Sequence, residues 1–228
     1  MDFKSVAIDV QDALELSSFR EMDYFAVENY SLPIELMMEN AGLQLANLVA
    51  SAVPNLEAKI LIGIGNGNNG GGGLVAARRL AAWGYDVHLD AMTKIDKPLP
   101  LQQLKRALSF GVKEKTIESP DVWIDAYLGF SQRLPLRENL ISRLQTANNS
   151  DCQRISLDIP TGFLGNTATP YFHAHKVLSL AAAKKILYHL PVDTELYIAD
   201  LGIPKVVYKK FEVEIPTFQS NNILKIKR

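Results

Sequence analysis

Three segments of this chain carry residues whose types and spacing could do chemistry. The first is the run Gly63-Ile64-Gly65-Asn66-Gly67-Asn68-Asn69-Gly70-Gly71-Gly72-Gly73. Glycines permit positive φ and let backbone N–H groups come close to a ligand. Asn66, Asn68 and Asn69 add amide donors and acceptors that a purely steric turn does not require. The second is Asp125, closing Trp123-Ile124-Asp125 ahead of the loop that begins at Gly129. The third is Asp158, closing Ser156-Leu157-Asp158 ahead of Ile159, Pro160, Thr161 and Gly162.

If these acids end strands, each is partly desolvated. Its pKa can then rise to a value useful for proton transfer, or it can stay ionised beside a cation. Two carboxylates and a carbonyl or hydroxyl oxygen around one point suit a hard cation. Either acid taken singly reads equally well as a helix N-cap or a turn residue; both at corresponding strand ends favour a site. The remaining candidates are weaker. His88 falls inside an apolar run, His173 and His175 flank another, and His189 lies near Pro191, with no metal-pair spacing among them. Lys184 reads as a solvated lysine at a helix end. Cys152 is the only cysteine, so no internal disulfide or paired-cysteine zinc site is available.

The elements that must position these residues follow from hydrophobic periodicity. Residues 12–30 and 34–52 read as helices, with Pro33 at a helix start where its missing N–H costs nothing. Residues 59–64 (KILIGI) form a short continuous apolar run, the pattern of a strand buried on both faces. The glycine run follows, then a helix over 74–83 with Gly84 as its C-cap. Further strands are expected at 85–92, 122–128, 154–159, 175–180 and 195–200, and helices at 99–110 and 136–147. Alternating strands and helices imply βαβ units with right-handed crossovers. The fold class is therefore α/β: a Rossmann-like three-layer α/β/α sandwich with a mainly parallel sheet and two extra N-terminal helices. The tail 211–228, with Pro216 and Asn221-Asn222, reads as a polar and basic surface-hugging end.

In that context the glycine run is a strand–turn–helix junction, where N–H groups and the helix dipole make an anion site. The structural alternative is a flexible connecting loop. Gly65, Gly67 and Gly70 formally satisfy GxGxxG, and Asp90 stands near the place of a ribose-binding acid. Four consecutive glycines are unlike a dehydrogenase turn, however, and nothing supplies a hydride-transfer partner.

Composition bounds the rest. The chain has 228 residues, with Lys+Arg 24 against Asp+Glu 25, a formal charge of -1. No positive excess is available for a nucleic-acid backbone, so no nucleic-acid partner is expected. The first residues lack the pattern of a signal peptide, and no apolar stretch is long enough to span a bilayer. A soluble cytoplasmic protein without membrane association is the expectation.

Five segments in order carry a resemblance: MENAG (38–42), GNGNNGGGGLVAARRL (65–80), DAYLGFS (125–131), SLDIPTG (156–162) and SLAAAKK (179–185). Together they resemble the YjeF N-terminal domain family, whose enzymes are NAD(P)H-hydrate epimerases, and the resemblance covers nearly the whole chain, 1–228, as a single YjeF N-terminal-like domain. It implies interconversion of the R and S forms of hydrated NADH or NADPH, the S form being the one a partner dehydratase accepts. It implies that Asn68, Asn69, Gly70, Gly71 and Gly72, with Gly129, Phe130, Ser131, Gln132, Arg133, Leu134 and Pro135, contact the hydrated dinucleotide. Asp158 is implied to bind the substrate near the reacting ring, and is the residue expected to do the proton transfer. A potassium ion is implied at Asn69, Asp125 and Thr161. Relatives suggest a homodimer, and the dehydratase is then a separate protein.

The sequence departs from the family pattern at three points. Gly72 replaces the aspartate of NNGGDG, Thr161 replaces the serine of DIPSG, and Ala181-Ala182-Ala183 precede Lys184 where a threonine is usual. Gly72 favours a second reading, a catalytically degenerate member that keeps the pocket as a nucleotide-ligand or protein-binding module. Intact Asn69, Asp125, Asp158 and Thr161 oppose it.

Overall fold

The structure, a computed structural model, describes residues 3–165, 168–214, 218 and 222–228. Short apolar runs build its sheet. KILIGI forms β2, which is buried from Ile60 onward. In chain order the elements are β1 (Lys4–Ala7), α1 (Leu16–Tyr30), α2 (Ile34–Ala52), β2 (Lys59–Ile64), α3 (Asn68–Ala82), β3 (Asp86–Ala91) and α4 (Pro98–Ser109). They continue with β4 (Val122–Ala126), α5 (Glu138–Asn148), β5 (Gln153–Leu157), β6 (Lys176–Leu180), β7 (Glu195–Ala199), α6 (Lys205–Lys210) and β8 (Ile223–Lys227). Single 3₁₀ turns cover Val10–Asp12 and Lys185–His189.

The sheet order is β1-β8-β7-β6-β5-β4-β2-β3. Every neighbouring pair is parallel except β7 with β8. Buried side chains divide between the two faces. On one, Ile60, Ile62 and Ile64 pack with Phe19 and Met22 of α1, Leu45 of α2, Leu74 of α3 and Leu104 of α4. On the other, Leu61 and Trp123 pack with Leu140 and Leu144 of α5 and with Phe163. This is the three-layer Rossmann-like sandwich, with α1 and α2 added to the first face. One detail explains why α4 lies beside α3. After α4 the backbone pairs Lys113 with the outer side of β3, through Leu89 N–H to Lys113 O and Lys113 N–H to Val87 O, both 2.9 Å. The β3–α4 unit therefore steps outward, and the right-handed crossover puts α4 on the same face as α3.

Three expectations are corrected. The tail is not merely surface-hugging: β8 inserts between β7 and β1, with Val6 opposite Ile226 and Ile198 opposite Leu224. Pro216 and Asn221 fall outside the described residues. The helix expected over 12–30 begins only at Leu16, because Leu14 is held in an extended bridge to Lys184. Leu14 N–H donates to Ala183 O and Lys185 N–H to Leu14 O, both 2.9 Å. The glycine run is largely helical, since α3 starts at Asn68 and takes in all four consecutive glycines. None of its glycines has positive φ. They are required by close approach instead: a Cβ on Gly70 would lie 1.9 Å from the carbonyl oxygen of Gly65.

Candidate active site

α3 opens directly from the carboxyl end of β2. Its first residues, Asn68, Asn69 and Gly70, have no preceding turn to receive their N–H groups, and Gly71 N–H is the first to return, to Gly67 O at 3.0 Å. The helix thus presents free donors and its positive dipole end at one wall of a cleft of about 750 Å³. Asn66 faces away from a ligand role. Its side chain donates to Asp96 Oδ1 (2.6 Å) and accepts from the N–H groups of Asp96 and Lys97 (3.0 Å each), pinning the β3–α4 loop to the rim.

Asp125 ends β4 and is fully buried. One carboxylate oxygen accepts from Ser156 Oγ (2.8 Å) and Thr161 N–H (2.8 Å); the other accepts from Thr161 Oγ1 (2.6 Å) and Tyr127 N–H (3.3 Å). All four donors are neutral. Desolvation therefore outweighs them, and the carboxyl is pushed up to about 6. Asn69 adjoins this cluster through Nδ2, which donates to Leu128 O at 2.8 Å. Leu128 N–H in turn donates to Thr161 Oγ1 at 3.1 Å. Asn69 Oδ1 is buried and has no hydrogen-bond partner. An unpaired amide oxygen, a hydroxyl and a carboxylate lacking a cation suit a hard monovalent ion. Among the described residues no cluster of three His, Cys, Asp or Glu could hold a metal, so a tighter transition-metal site has no support.

Asp158 lies just beyond β5 and is built differently. Its backbone is left-handed, at φ 71°, and its N–H is held by Leu178 O at 2.8 Å. Aspartate tolerates this conformation better than most residues, and such outliers gather where a site fixes them. Oδ2 accepts from Phe130 N–H at 2.8 Å, and Oδ1 lies 2.9 Å from Lys184 Nζ. Lys184, expected on the surface, is completely buried. Its ammonium also donates to Ser179 Oγ (3.0 Å) and Leu180 O (2.9 Å), and sits 3.9 Å from the centroid of the Phe19 ring. Burial pushes Lys184 below its ordinary value, while Asp158 pulls it back.

The structure brings most of the expected contact residues to this one cleft. Asn68, Asn69, Gly72, Asp158 and, from the β4–α5 loop, Gly129, Phe130, Ser131, Gln132, Arg133 and Pro135 line it. Gly70 and Gly71 are buried in α3 and are not among the lining residues, nor is the half-exposed Leu134. Gln132 is buried and spends its amide on backbone, receiving Gly162 N–H at 2.6 Å and donating to Phe163 O at 3.2 Å. It shapes the loop rather than presenting a free group. Asp125 and Thr161 lie beneath the cleft floor, fully buried. Gly72 has room for little more than itself, since an added Cβ would lie 3.0 Å from a methyl of Leu157.

Other polar residues take structural roles. Asp90 is buried and receives Tyr127 Oη at 2.5 Å, Arg143 Nε at 2.6 Å and Thr116 Oγ1 at 3.0 Å. It is therefore committed to the protein and not free for a ribose. His88 is buried beside Asp86, with Nε2 at 3.1 Å. Among the cleft residues to which the sequence alone gives no role are Phe19 and Asp23, one turn apart on α1. Their spacing of four residues on a helical segment is the signal that sets them on one face.

Comparison with known proteins agrees with this geometry. Residues 34–186 match the family described as YjeF-related protein N-terminus. An NAD(P)H-hydrate epimerase of Rhodopirellula baltica is 33% identical over 214 residues, covering 85% of this chain and 86% of that protein. An NAD(P)H-hydrate epimerase of Anopheles darlingi is 30% identical, over 85% of this chain and 90% of the relative. A bifunctional NAD(P)H-hydrate repair enzyme of Archaeoglobus fulgidus is 34% identical across 84% of this chain but only 42% of its own length. The crystal structure of yeast ynu0 superposes with a TM-score of 0.82 at 24% identity, covering 93% of this chain and 99% of that one, which establishes the fold.

Proposed function

The chain belongs to the family of YjeF-related protein N-termini, and from that premise we propose that it is an NAD(P)H-hydrate epimerase. It is an isomerase that interconverts the R and S forms of hydrated NADH or NADPH, a repair step on a damaged nicotinamide cofactor. The observation that carries this reading is the buried Asp158, set in a strained turn against Lys184 in the cleft that α3 opens. It occurs in a chain about one-third identical to a named epimerase over most of its length.

Within this reading, residues 1–228 act as one YjeF N-terminal-like domain. The free N–H groups of α3, Asn68 and Arg133 suit the charged pyrophosphate and ribose end of a dinucleotide. The apolar floor of Met37, Met38 and Leu157 suits the hydrated ring. Asp158, held by a lysine and one backbone N–H, suits proton transfer at the hydroxyl-bearing carbon. Asn69, Asp125 and Thr161 would hold potassium, whose charge would compensate the buried Asp125 and stiffen the junction of β4, α3 and the 158–162 turn. A separate dehydratase acting on the product, a homodimer and a cytoplasmic setting complete the proposal. The unpaired, buried Cys152 is compatible with a reducing compartment. Among the described residues no helix is long and apolar enough to cross a membrane.

The test is direct. R-form hydrated NADH and NADPH are incubated with the protein, with and without potassium, and conversion to the S form is followed. Turnover that potassium increases is the expected result. Absence of turnover from both substrates would instead favour the binding-module reading, for which Gly72 is the one supporting feature.

A further inference from the structure

The cleft holds a second carboxylate. Asp23 stands on α1, one turn after Phe19, and lines the same cleft as Asp158. The two acids are tied to one structural unit. Phe19 stacks over the Lys184 ammonium and meets Phe130 edge-on, with ring centroids 5.1 Å apart, and Phe130 N–H holds Asp158. Their circumstances are opposite. Asp158 has a lysine and a backbone donor. The Asp23 carboxyl, in the middle of α1, has no hydrogen-bond or ion-pair partner among the described residues. A half-buried acid without a protein partner is a cost that the fold bears and does not need, since an amide or an apolar residue would fit α1 more cheaply.

We propose that Asp23 is a second catalytic residue of the epimerase, the proton donor that works with Asp158 as acceptor across the two faces of the hydrated ring. This rests on the epimerase reading above. Burial first, and the Asp158 charge second, push the Asp23 carboxyl up to about 6, while Lys184 opposes them. An acid raised in this way, lining the same cleft as a carboxylate that a lysine holds, suits the donor's place in a donor and acceptor pair.

The chemistry balances without an oxidant or reductant. Neutral Asp23 gives its proton to the ring hydroxyl. The C–O bond breaks with its electron pair going to oxygen, water leaves, and the lone pair of the ring nitrogen forms a C=N bond. Water then adds to the opposite face of that carbon. Its oxygen forms the new C–O bond, the C=N π pair returns to nitrogen, and the surplus proton goes to the Asp158 carboxylate. The proton returns from Asp158 to Asp23 through water before the next turnover. The reverse epimerisation exchanges the two roles.

The experiment compares the native chain with Asp23→Asn, Asp23→Ala and Asp158→Asn on R-form hydrated NADPH, with chemical denaturation of each. Asp23→Asn is expected to lower kcat about 100-fold with KM changed less than threefold, while its unfolding midpoint stays equal or moves up. A purely structural residue would not combine lost turnover with retained stability. Asp23→Ala is expected to recover at least tenfold of the lost kcat in added formate, which supplies a small carboxylic acid in the vacated space. Asp23→Asn with native kcat, beside an inactive Asp158→Asn, would overturn the inference and leave the proposed function standing. An inactive native chain would overturn both. If Asp23→Asn unfolds, formate rescue of Asp23→Ala decides alone: rescue supports the donor role and its absence removes it.

Discussion

Asp125 and Asp158 lie at the carboxyl ends of the neighbouring strands β4 and β5, both buried, yet the protein treats them as different chemical objects. Asp125 receives four hydrogen bonds from neutral donors and no cation, and its carboxyl rises to about 6. Asp158 receives one backbone donor and a lysine that is itself sealed from water. The first arrangement leaves a charge waiting to be compensated, which an ion beside the unpaired Asn69 oxygen would do. The second arrives already compensated, so its charge can be kept while it faces substrate. Burial alone assigns neither role; the partner does.

The largest effect is expected from breaking the second arrangement. Asp158→Asn should reduce turnover about 1000-fold and, by stranding a buried ammonium, lower folding stability by about 3 kcal/mol. Adding Lys184→Met should restore most of the stability and none of the turnover. Enzyme assays and urea titrations of the single and double variants separate the two, and full epimerase activity in Asp158→Asn would remove it from the chemistry. Asp125→Ala attacks the first arrangement. It leaves buried hydroxyl and amide donors unpaired and should cost about 2–3 kcal/mol. Thermal melting of the native chain should rise on replacing sodium with potassium, and that response should vanish in the variant. A melting temperature indifferent to potassium in the native chain would mean that the Asn69 oxygen is not an ion ligand.

A smaller effect concerns Gly72, where the family carries an acid. Gly72→Asp pushes a carboxylate against buried Leu157 and should cost about 1–2 kcal/mol, with turnover changed only a few-fold. A gain of tenfold or more would mean that the native chain lacks a working group there. The smallest effect is a pH dependence from Asp23, which faces Asp158 and Lys184. With its carboxyl raised to about 6 in the folded state, the native chain holds more protons than the unfolded chain between about pH 4 and 6. Stability should therefore fall as pH rises through that window, by about 1–2 kcal/mol after allowing for partial exposure, and level off above it. Denaturation midpoints of Asp23→Asn should lose the Asp23 share of that step and keep the share from Asp125, whose carboxyl is also pushed up to about 6.

Much of the fold was legible because its elements are locally encoded. The strand of residues 59–64 and the helix of residues 34–52 begin and end where periodicity and Pro33 place them. The misses share one cause, dependence on distant chain. ILKIK reads as a basic tail until β7 and β1 offer it partners on both sides. Lys184 reads as a solvated lysine until Asp158, Phe19 and the Leu180 carbonyl enclose it. The glycine run reads as a turn because glycine is a poor helix former; packing against the Gly65 carbonyl, Met38 and Ala126 favours small residues there and overrides that preference. Asp125 and Asp158 were found because strand ends are local, but what separates them is not.

The backbone bridge between Leu14 and Lys184 makes the N-terminal arm a cover over a lysine that is completely buried. Lys184 should stay silent to amine-acylating reagents that label the surface lysines, for as long as residues 13–15 remain paired to it. Once that arm peels away, the same lysine meets the reagent as the surface lysines do. Its labelling by mass spectrometry would then serve as a built-in gauge of how tightly the front of the chain is fastened to the active centre.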